Sequence, residues 1–304
     1  MNTANLPKIA PDYVTLLQSP DNIPFRYKVM RGLFKFFGTI APWPTWKFAA
    51  KIFFSPRSRK VREFEMTVLE TGKTEKIFLD GKDVVLTSWG SGDKKVLLLH
   101  GWGGNRAQMT PFVEELLAQG LFVIAVDGPA HGESTGNQTN MAKIIEAVEL
   151  VNEKFGGINY VVGHSFGGAA LVVALDRGLD IEKIVTISMP THANKIMKPF
   201  QTLLNVPDKV IRRIDQRIAK LMGQTFEEIS AVNLAQKQTI PFLIIQDSQD
   251  SIITISDAIE LNANWTGSEL YLTNGFGHRQ ILRENSVHHK VAEFLTSNNR
   301  LDQS

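Results

Sequence analysis

From about residue 63 onward, short apolar runs alternate with stretches of helical character. The runs are three to six residues long and lack the apolar–polar alternation of a half-exposed sheet, which indicates strands covered on both faces. They are residues 96–99, 121–126, 160–162, 184–187, 242–245 and 270–272. Residues 141–155 and 166–177 supply helices between them. This alternation predicts an α/β fold with a doubly wound, mostly parallel sheet.

Turn residues mark the ends of several predicted elements. Asp80-Gly81 lies between two apolar runs and predicts a β-hairpin. Thr110 and Pro111 predict the N-cap and first residue of a helix that stops at Gly120.

The alternation stops between residues 190 and 240, where no strand is predicted. Apolar residues recur there at helical spacing, namely Val210, Ile211, Ile214, Ile218 and Leu221. Residues 190–240 therefore predict a helical cap, with Phe200 and Leu203 facing the pocket. Arg212, Arg213, Arg217 and Lys220 lie between the apolar positions. Solvation is the simpler interpretation of this basic face, and steering of an anionic substrate is the alternative.

Residues 22–62 differ in charge from the rest of the chain. They hold ten Lys or Arg, no Asp or Glu, and ten of the 27 aromatic residues, although the whole chain has a net charge of only +2. We interpret residues 1–62 as a helical extension whose aromatic residues pack on the main domain. Peripheral contact of residues 22–62 with a membrane is the alternative. Nucleic acid is not predicted as a partner, because no nucleic-acid-binding motif accompanies the charge.

The composition excludes several classes of protein. The chain has 304 residues and no cysteine, which excludes a disulfide scaffold, a thiol nucleophile and a Cys-ligated metal site. No apolar run is long enough for a transmembrane helix, and the first 22 residues do not form an evident signal peptide. These features together predict a cytoplasmic protein.

The most specific motif is Gly163-His164-Ser165-Phe166-Gly167-Gly168. It follows a predicted strand and opens a predicted helix, which is the setting of a G-x-S-x-G nucleophile elbow. The turn needs small residues on both sides of the serine, and the helix N-terminus favours a developing anion. Ser165 is therefore the predicted nucleophile.

A serine nucleophile needs a base and a carboxylate that orients the base. In elbow proteins these follow in the order Ser, acid, His. Asp250 and His278 fit that order, and each follows a predicted strand. Asp247 is the alternative acid because it lies closer to the strand end. The last helix carries His288 and His289, which we expect to be solvated rather than catalytic.

An oxyanion intermediate needs two N–H donors aimed at one point. The amide of Phe166, directly after the serine, is one candidate. The amide of Trp102, in the Gly-rich turn after residues 96–99, is the other. A phosphate-binding loop is unsupported here, because neither G-x-x-x-x-G-K-[ST] nor GxGxxG occurs in this turn.

Taken together, these motifs resemble those of the α/β-hydrolase superfamily. The matching segments occur in family order: HGWGG (100–104), DGPAHGES (127–134), GHSFGG (163–168), QDSQDSI (246–252) and GFGHRQIL (275–282). The resemblance implies an α/β-hydrolase fold with Ser165, His278 and Asp250 as a triad. It departs from epoxide hydrolases and haloalkane dehalogenases, which have Asp at the elbow. HGW also differs from the HGGG loop of another esterase branch, which argues against esters of bulky tertiary alcohols.

We therefore predict a serine hydrolase, most simply a carboxylesterase acting on a small-molecule acyl ester without a metal or organic cofactor. Thioesterases, lactonases, amidases and acyltransferases use the same triad, so the sequence does not separate them. A weakly catalytic ligand receptor and a lipid hydrolase at a membrane surface are further alternatives. Residues 63–189 and 241–304 would form the hydrolase core, with residues 190–240 as its cap.

Overall fold

The computed structural model describes residues 23–57 and 59–297. Residues 1–22 and Ser58, which belong to the predicted extension, lie outside the described residues, as do residues 298–304. An eight-stranded sheet runs through the molecule in the order β1-β2-β4-β3-β5-β6-β7-β8. The strands are β1 (Lys73–Leu79), β2 (Lys82–Trp89), β3 (Lys95–Leu99), β4 (Phe122–Val126), β5 (Tyr160–His164), β6 (Lys183–Ile187), β7 (Phe242–Asp247) and β8 (Ser268–Thr273).

Twelve α-helices precede, flank and follow the strands in the described part of the chain. They are α1 (Phe25–Ile40), α2 (Pro42–Phe53), α3 (Glu63–Glu70), α4 (Val113–Ala118), α5 (Met141–Lys154), α6 (Phe166–Asp176), α7 (Ala193–Leu204), α8 (Asp208–Met222), α9 (Ala231–Ala235), α10 (Ile255–Asn264), α11 (Gly277–Gln280) and α12 (Asn285–Thr296). None of these helices is both long and apolar enough to cross a membrane.

The sheet is mostly parallel, as the apolar runs predict. Strands β3 to β8 pair in parallel, while β1 and β2 form the predicted antiparallel hairpin around Asp80-Gly81. Central strands such as β5 and β7 are buried along their whole length. Strand β8 is the exception: it lies at the sheet edge and is only half-buried, so the expectation that it is covered on both faces is wrong.

Two further local predictions are wrong. Thr110 and Pro111 do not begin a helix, because both lie within a 3-10 helix (Arg106–Phe112) that continues into α4. His288 is not solvated: it is buried, its Nε2 donates to the Leu282 carbonyl at 2.9 Å, and its ring packs on Phe112. A hydrophobic pattern alone does not reveal a polar ring that has a backbone partner inside the core.

The segment between β6 and β7 forms helices α7 to α9. In α8 the buried residues Val210, Ile214, Ile218 and Met222 recur every four residues, and Gly223 ends the helix in the left-handed conformation. Phe200 and Leu203 of α7 are fully buried in the core rather than facing the pocket, so that prediction is wrong.

Helices α1 and α2 pack against this helical segment. A Cβ on Gly38 of α1 would lie 2.5 Å from the Pro207 ring, so the backbone of α1 lies directly against that ring. Arg31 donates to the Leu203 carbonyl at 2.9 Å, and the ring of Phe53 contacts that of Phe200. Helices α1 and α2 therefore pack together with the helical segment between β6 and β7.

The carboxyl ends of parallel strands lie at one edge of the sheet. The loops after β3, β5, β7 and β8 all reach this edge, and they carry residues 100–104, Ser165, Asp250 and His278. The fold thus brings together segments that are up to 178 residues apart in the sequence.

Candidate active site

Ser165 occupies a strained turn between β5 and α6. Its φ of 51° and ψ of −124° are in a region that non-glycine residues rarely adopt. The Ser165 amide donates to the Ile187 carbonyl of the neighbouring strand at 2.9 Å, and the Ser165 carbonyl accepts from Ala169 at 3.2 Å. These contacts hold the serine where the chain reverses at the sheet edge.

The glycines around Ser165 make this turn sterically feasible. A Cβ on Gly163 would lie 2.6 Å from the Cα of Gly168. A Cβ on Gly167 would overlap the carbonyl oxygen of His100. The spacing of glycines in the motif therefore reflects backbone-to-backbone contact on both sides of the serine.

Ser165, His278 and Asp250 form a continuous hydrogen-bonded chain. His278 Nε2 lies 3.1 Å from Ser165 Oγ, and His278 Nδ1 lies 2.8 Å from Asp250 Oδ2. Because an ionised carboxylate can only accept, Nδ1 carries the proton and Nε2 is left to accept the serine hydroxyl. This arrangement can draw a proton from Ser165 and stabilise the resulting imidazolium.

Asp250 is anchored by its other oxygen. Its Oδ1 accepts hydrogen bonds from the amides of Ile252 and Ile253 at 2.8 and 3.0 Å. Burial alone would raise the pKa of Asp250, but the hydrogen bond from His278 and these two amides outweigh it and lower the pKa below its ordinary value. The carboxylate is therefore ionised and fixed in orientation at neutral pH.

Asp247, the alternative acid, does not contact His278. Its two oxygens accept four hydrogen bonds, from Thr273 Oγ1 and the amides of Gln249, Phe276 and Gly277. Burial opposes ionisation of Asp247, yet these bonds lower its pKa on balance. Asp247 thus ties the loop before His278 to the end of β7, while Asp250 is the carboxylate beside the imidazole.

The turn after β3 lies directly against the serine. A Cβ on Gly101 would lie 3.0 Å from Ser165 Cβ, and the rings of Trp102 and Phe166 meet edge-on with centroids 5.1 Å apart. Within the described residues, no acceptor takes the amide of Trp102 or that of Phe166. Both N–H groups therefore remain available to an oxygen bound beside Ser165.

His164 is a site residue that the sequence did not single out. Its Nε2 donates to the backbone carbonyl of His278 at 2.8 Å, while Nδ1 is buried and has no hydrogen-bond partner among the described residues. Burial first, and then the nearby His278, lower the pKa of His164 to about 3. A neutral imidazole thus supports the loop that carries His278. The position next to Ser165 is the one sequence signal that could have suggested this contact.

A cavity of about 830 Å³ opens above Ser165 and His278. Its apolar wall comes largely from the helical segment between β6 and β7 and includes Ile196, Pro199, Ile218, Leu221, Met222 and Phe226. Phe53 and Phe54 at the end of α2 also line it. Within the described ranges, no three His, Asp or Glu side chains converge as a metal site would require.

Comparisons with known proteins agree with this architecture. Residues 96–236 match the model of the alpha/beta hydrolase family. An esterase from Pyrococcus furiosus, Pf2001, is similar in structure, with a TM-score of 0.58 and 24% identity over 79% of this chain and 98% of that one.

Two other solved structures have comparable similarity. A membrane phospholipase A described as a bacterial virulence factor has a TM-score of 0.59 and 18% identity, over 77% of this chain and 89% of that one. Est816, an N-acyl homoserine lactone degrading enzyme, has a TM-score of 0.56 and 18% identity, over 71% of this chain and 98% of that one. At such identities the likeness concerns the fold. A comparison with curated protein sequences finds no match.

Proposed function

The chain belongs to the α/β-hydrolase superfamily, and on that premise we propose that it is a serine hydrolase that cleaves acyl esters. The observation that carries the proposal is the hydrogen-bonded chain from Ser165 through His278 to Asp250. In this proposal Ser165 is the nucleophile, His278 the general base and Asp250 the orienting carboxylate. The amides of Trp102 and Phe166 form the oxyanion hole.

The reaction proceeds in two halves. Ser165 Oγ attacks the acyl carbonyl carbon as His278 Nε2 takes the hydroxyl proton, and the carbonyl oxygen becomes an oxyanion held by the two amides. The ester C–O bond then breaks, and His278 gives its proton to the departing alcohol. Water next attacks the acyl-enzyme, loses a proton to His278 and releases the carboxylic acid while Ser165 regains its proton.

Ester cleavage is the activity we favour among those that this triad supports. Thioester, lactone and amide hydrolysis and acyl transfer begin with the same attack by Ser165. Solved structures with this fold include a thioesterase domain from the curacin pathway and the lactone-degrading Est816. A receptor that binds an ester without turning it over is the remaining alternative, and turnover of p-nitrophenyl esters separates it from an enzyme.

The deciding experiment combines labelling with turnover. We expect a fluorophosphonate to label the wild type but not Ser165→Ala, and Ser165→Ala to lower kcat by about 10⁴-fold. Ser188→Ala is the matched control, because Ser188 also follows a strand and has a positive φ of 52°. Retained activity in Ser165→Ala, with labelling elsewhere, would contradict the mechanism.

A second proposal concerns where the enzyme works: helices α1 and α2 dock on an anionic membrane surface. Helix α1 has two apolar stripes, and the one formed by Tyr27, Met30, Phe34 and Gly38 is buried against the protein. The other stripe faces solvent together with residues of α2. Its members are Phe25, Val29, Leu33, Phe36, Phe37, Ile40, Trp43 and Phe48, of which Phe25 is 80% exposed and Phe36 61% exposed.

Charge complementarity favours anionic lipid as the partner of this exposed stripe. Arg26, Lys28, Lys35 and Lys47 are exposed on the same two helices, which contain no acidic residue. Exposed aromatic residues combined with lysine and arginine are typical of helices that lie in a membrane interface. An apolar surface of this kind is otherwise uncommon on a monomeric soluble protein.

Vesicle flotation tests this docking surface. We expect the wild type to float with phosphatidylcholine vesicles that contain phosphatidylglycerol, and less with phosphatidylcholine alone. The double variant Phe36→Ser/Trp43→Ser should bind at least about tenfold more weakly, because two apolar rings no longer leave water. Phe78→Ser is the control, since Phe78 is 70% exposed on β1. A wild type that never floats but dimerises through the same residues would refute membrane docking.

A further inference from the structure

The cavity above Ser165 is strongly biased toward positive charge. Apart from histidines, the ionisable residues that line it in the described part of the chain are seven cations and one carboxylate, that of Glu65. The cations are Arg57, Arg59, Lys60, Arg62, Lys195, Arg279 and Arg283. All of these cations except Arg59 are exposed, so their positive field acts where the cavity meets solvent, beside its apolar wall.

Only part of this charge is neutralised within the protein. Glu65 is nearly fully buried and accepts two hydrogen bonds from Arg59, at 2.6 and 2.8 Å. Lys195 lies 3.3 Å from a carboxylate oxygen of Asp257. Three other cations have no carboxylate within ion-pairing distance among the residues that the structure describes: Lys60, Arg62 and Arg283. The cavity thus retains cations for which the described residues supply no counter-charge.

Several of these cations lie beside the proposed reacting groups rather than at a distant surface. The Arg59 amide donates to the Gly103 carbonyl at 2.9 Å, and a Cβ on Gly103 would lie 2.9 Å from the Arg57 carbonyl oxygen. Arg57 and Arg59 therefore lie against the turn that carries Trp102. On the other side, Arg279 directly follows His278. The cations flank both loops that would contact a bound ester.

We infer that the cavity is built for an ester that carries an anionic group, a phosphate or a carboxylate, close to the bond that is cleaved. The cations of residues 60–62 and Arg283 would bind that group, because arginine and lysine form charge-assisted hydrogen bonds with such oxygens. The apolar wall from α7 and α8 would take the hydrocarbon part. This inference deepens the proposed function and rests on it.

Matched pairs of esters test the inference. One pair is mono-p-nitrophenyl adipate and its methyl-capped neutral form. The other is octanoylglycerol phosphate and octanoylglycerol. We expect kcat/KM for the anionic member of at least one pair to exceed that of the neutral member by at least about tenfold, the equivalent of one charge-assisted contact. If only octanoylglycerol phosphate is preferred over its neutral partner, the anionic group of the substrate is a lipid headgroup. If the adipate is preferred over its neutral partner, the anionic group belongs to the acyl part of the substrate.

Variants locate the binding group. Arg62→Gln/Arg283→Gln should reduce the anionic preference to near one, while Lys237→Gln, an exposed lysine outside the cavity, should leave it unchanged. Fluorophosphonate labelling of Ser165 should persist in every variant. Equal rates within both pairs for the wild type, or a preference that survives the double variant, would overturn the inference.

The proposed function can fail separately. If the wild type neither turns over any ester nor reacts with the fluorophosphonate, calorimetry with octyl phosphate and octanol still tests the cationic site. Binding of octyl phosphate that is lost in Arg62→Gln/Arg283→Gln would support an anion site without hydrolysis. Equal binding of the two compounds would refute it.

Discussion

The imidazole of His164 donates a hydrogen bond from Nε2 to the main-chain carbonyl of His278 at 2.8 Å. The residue before the proposed nucleophile thus holds the backbone of the proposed base, and the two rings lie 4.9 Å apart. This contact joins the ends of β5 and β8 through one buried, neutral side chain. The alignment of Ser165 with His278 therefore depends on a side chain that takes no part in the proposed proton transfer.

We expect His164→Ala to lower kcat by about 10²-fold with little change in KM, because a small displacement of His278 disturbs proton transfer more than binding. Steady-state kinetics on p-nitrophenyl esters measures kcat and KM separately and so tests this expectation. His164→Gln, whose amide can still donate, should recover part of kcat, and the exposed His289→Gln should behave as wild type. An equal loss in both His164 variants would indicate general destabilisation instead.

The two neighbouring aspartates should give different defects. Asp250→Asn should lower kcat by about 10⁴-fold, since an amide cannot hold the tautomer that accepts the serine proton. Asp247→Asn should instead lower Tm, because it weakens four hydrogen bonds around the loop before His278. Kinetics and thermal denaturation of both variants make the comparison. A larger activity loss in Asp247→Asn would reassign the acid.

Stability should fall as the pH drops below about 6.5. Burial gives His164 a pKa of about 3 in the folded chain, against 6.5 for an exposed histidine, so the unfolded chain binds this proton first. Burial also lowers the pKa of His100, His131 and His288. Each of these four lowered pKa values contributes stability that is fully present above pH 6.5. The free energy of unfolding therefore falls as the pH drops below that value.

Urea denaturation at neutral pH and near pH 5 measures this effect. His164 alone should account for about 2 kcal/mol of the loss, at roughly 1.4 kcal/mol per pH unit. His164→Gln should therefore lose less stability than the wild type between the two pH values. Identical losses would show that His164 is not kept neutral by the fold.

Residues of α8 that line the cavity should control the acyl chain length. We expect Leu221→Phe to shift preference toward short esters, with changes of about 10- to 200-fold in relative kcat/KM. Leu203→Ala, in the core, should cost about 2–5 kcal/mol of stability and leave the chain-length profile unchanged. A series of p-nitrophenyl esters provides the readout. An unchanged profile in Leu221→Phe would exclude α8 from the acyl site.

Local sequence patterns predicted the parts of the structure that local physics determines. Apolar runs gave the strands, and the glycine spacing around Ser165 gave the turn, because backbone sterics allow few residues there. Asp250 and His278 were predictable because they follow Ser165 in the order of elbow proteins and lie in loops that meet at one edge of a parallel sheet. These features need no knowledge of which helix packs on which.

Features that depend on long-range packing were not predictable. Phe200 and Leu203 have the same character as cavity residues, and the docking of α1 and α2 on this segment buries them. His288 is buried because Leu282 offers a carbonyl to its ring. The charge of residues 57–62 was visible in the sequence, but its position beside Gly103 requires the folded chain.

The hydrogen bond from Arg59 to Gly103 means that the N-terminal segment is not a separable module. Deleting residues 1–62 would remove a wall of the cavity. It would also remove the Arg59 amide, which restrains the turn that carries Trp102. It would also expose the ring of Phe200, which now contacts Phe53 of α2. Deletion would therefore affect both the proposed catalysis and the proposed membrane docking, and point substitutions are needed to tell the two apart.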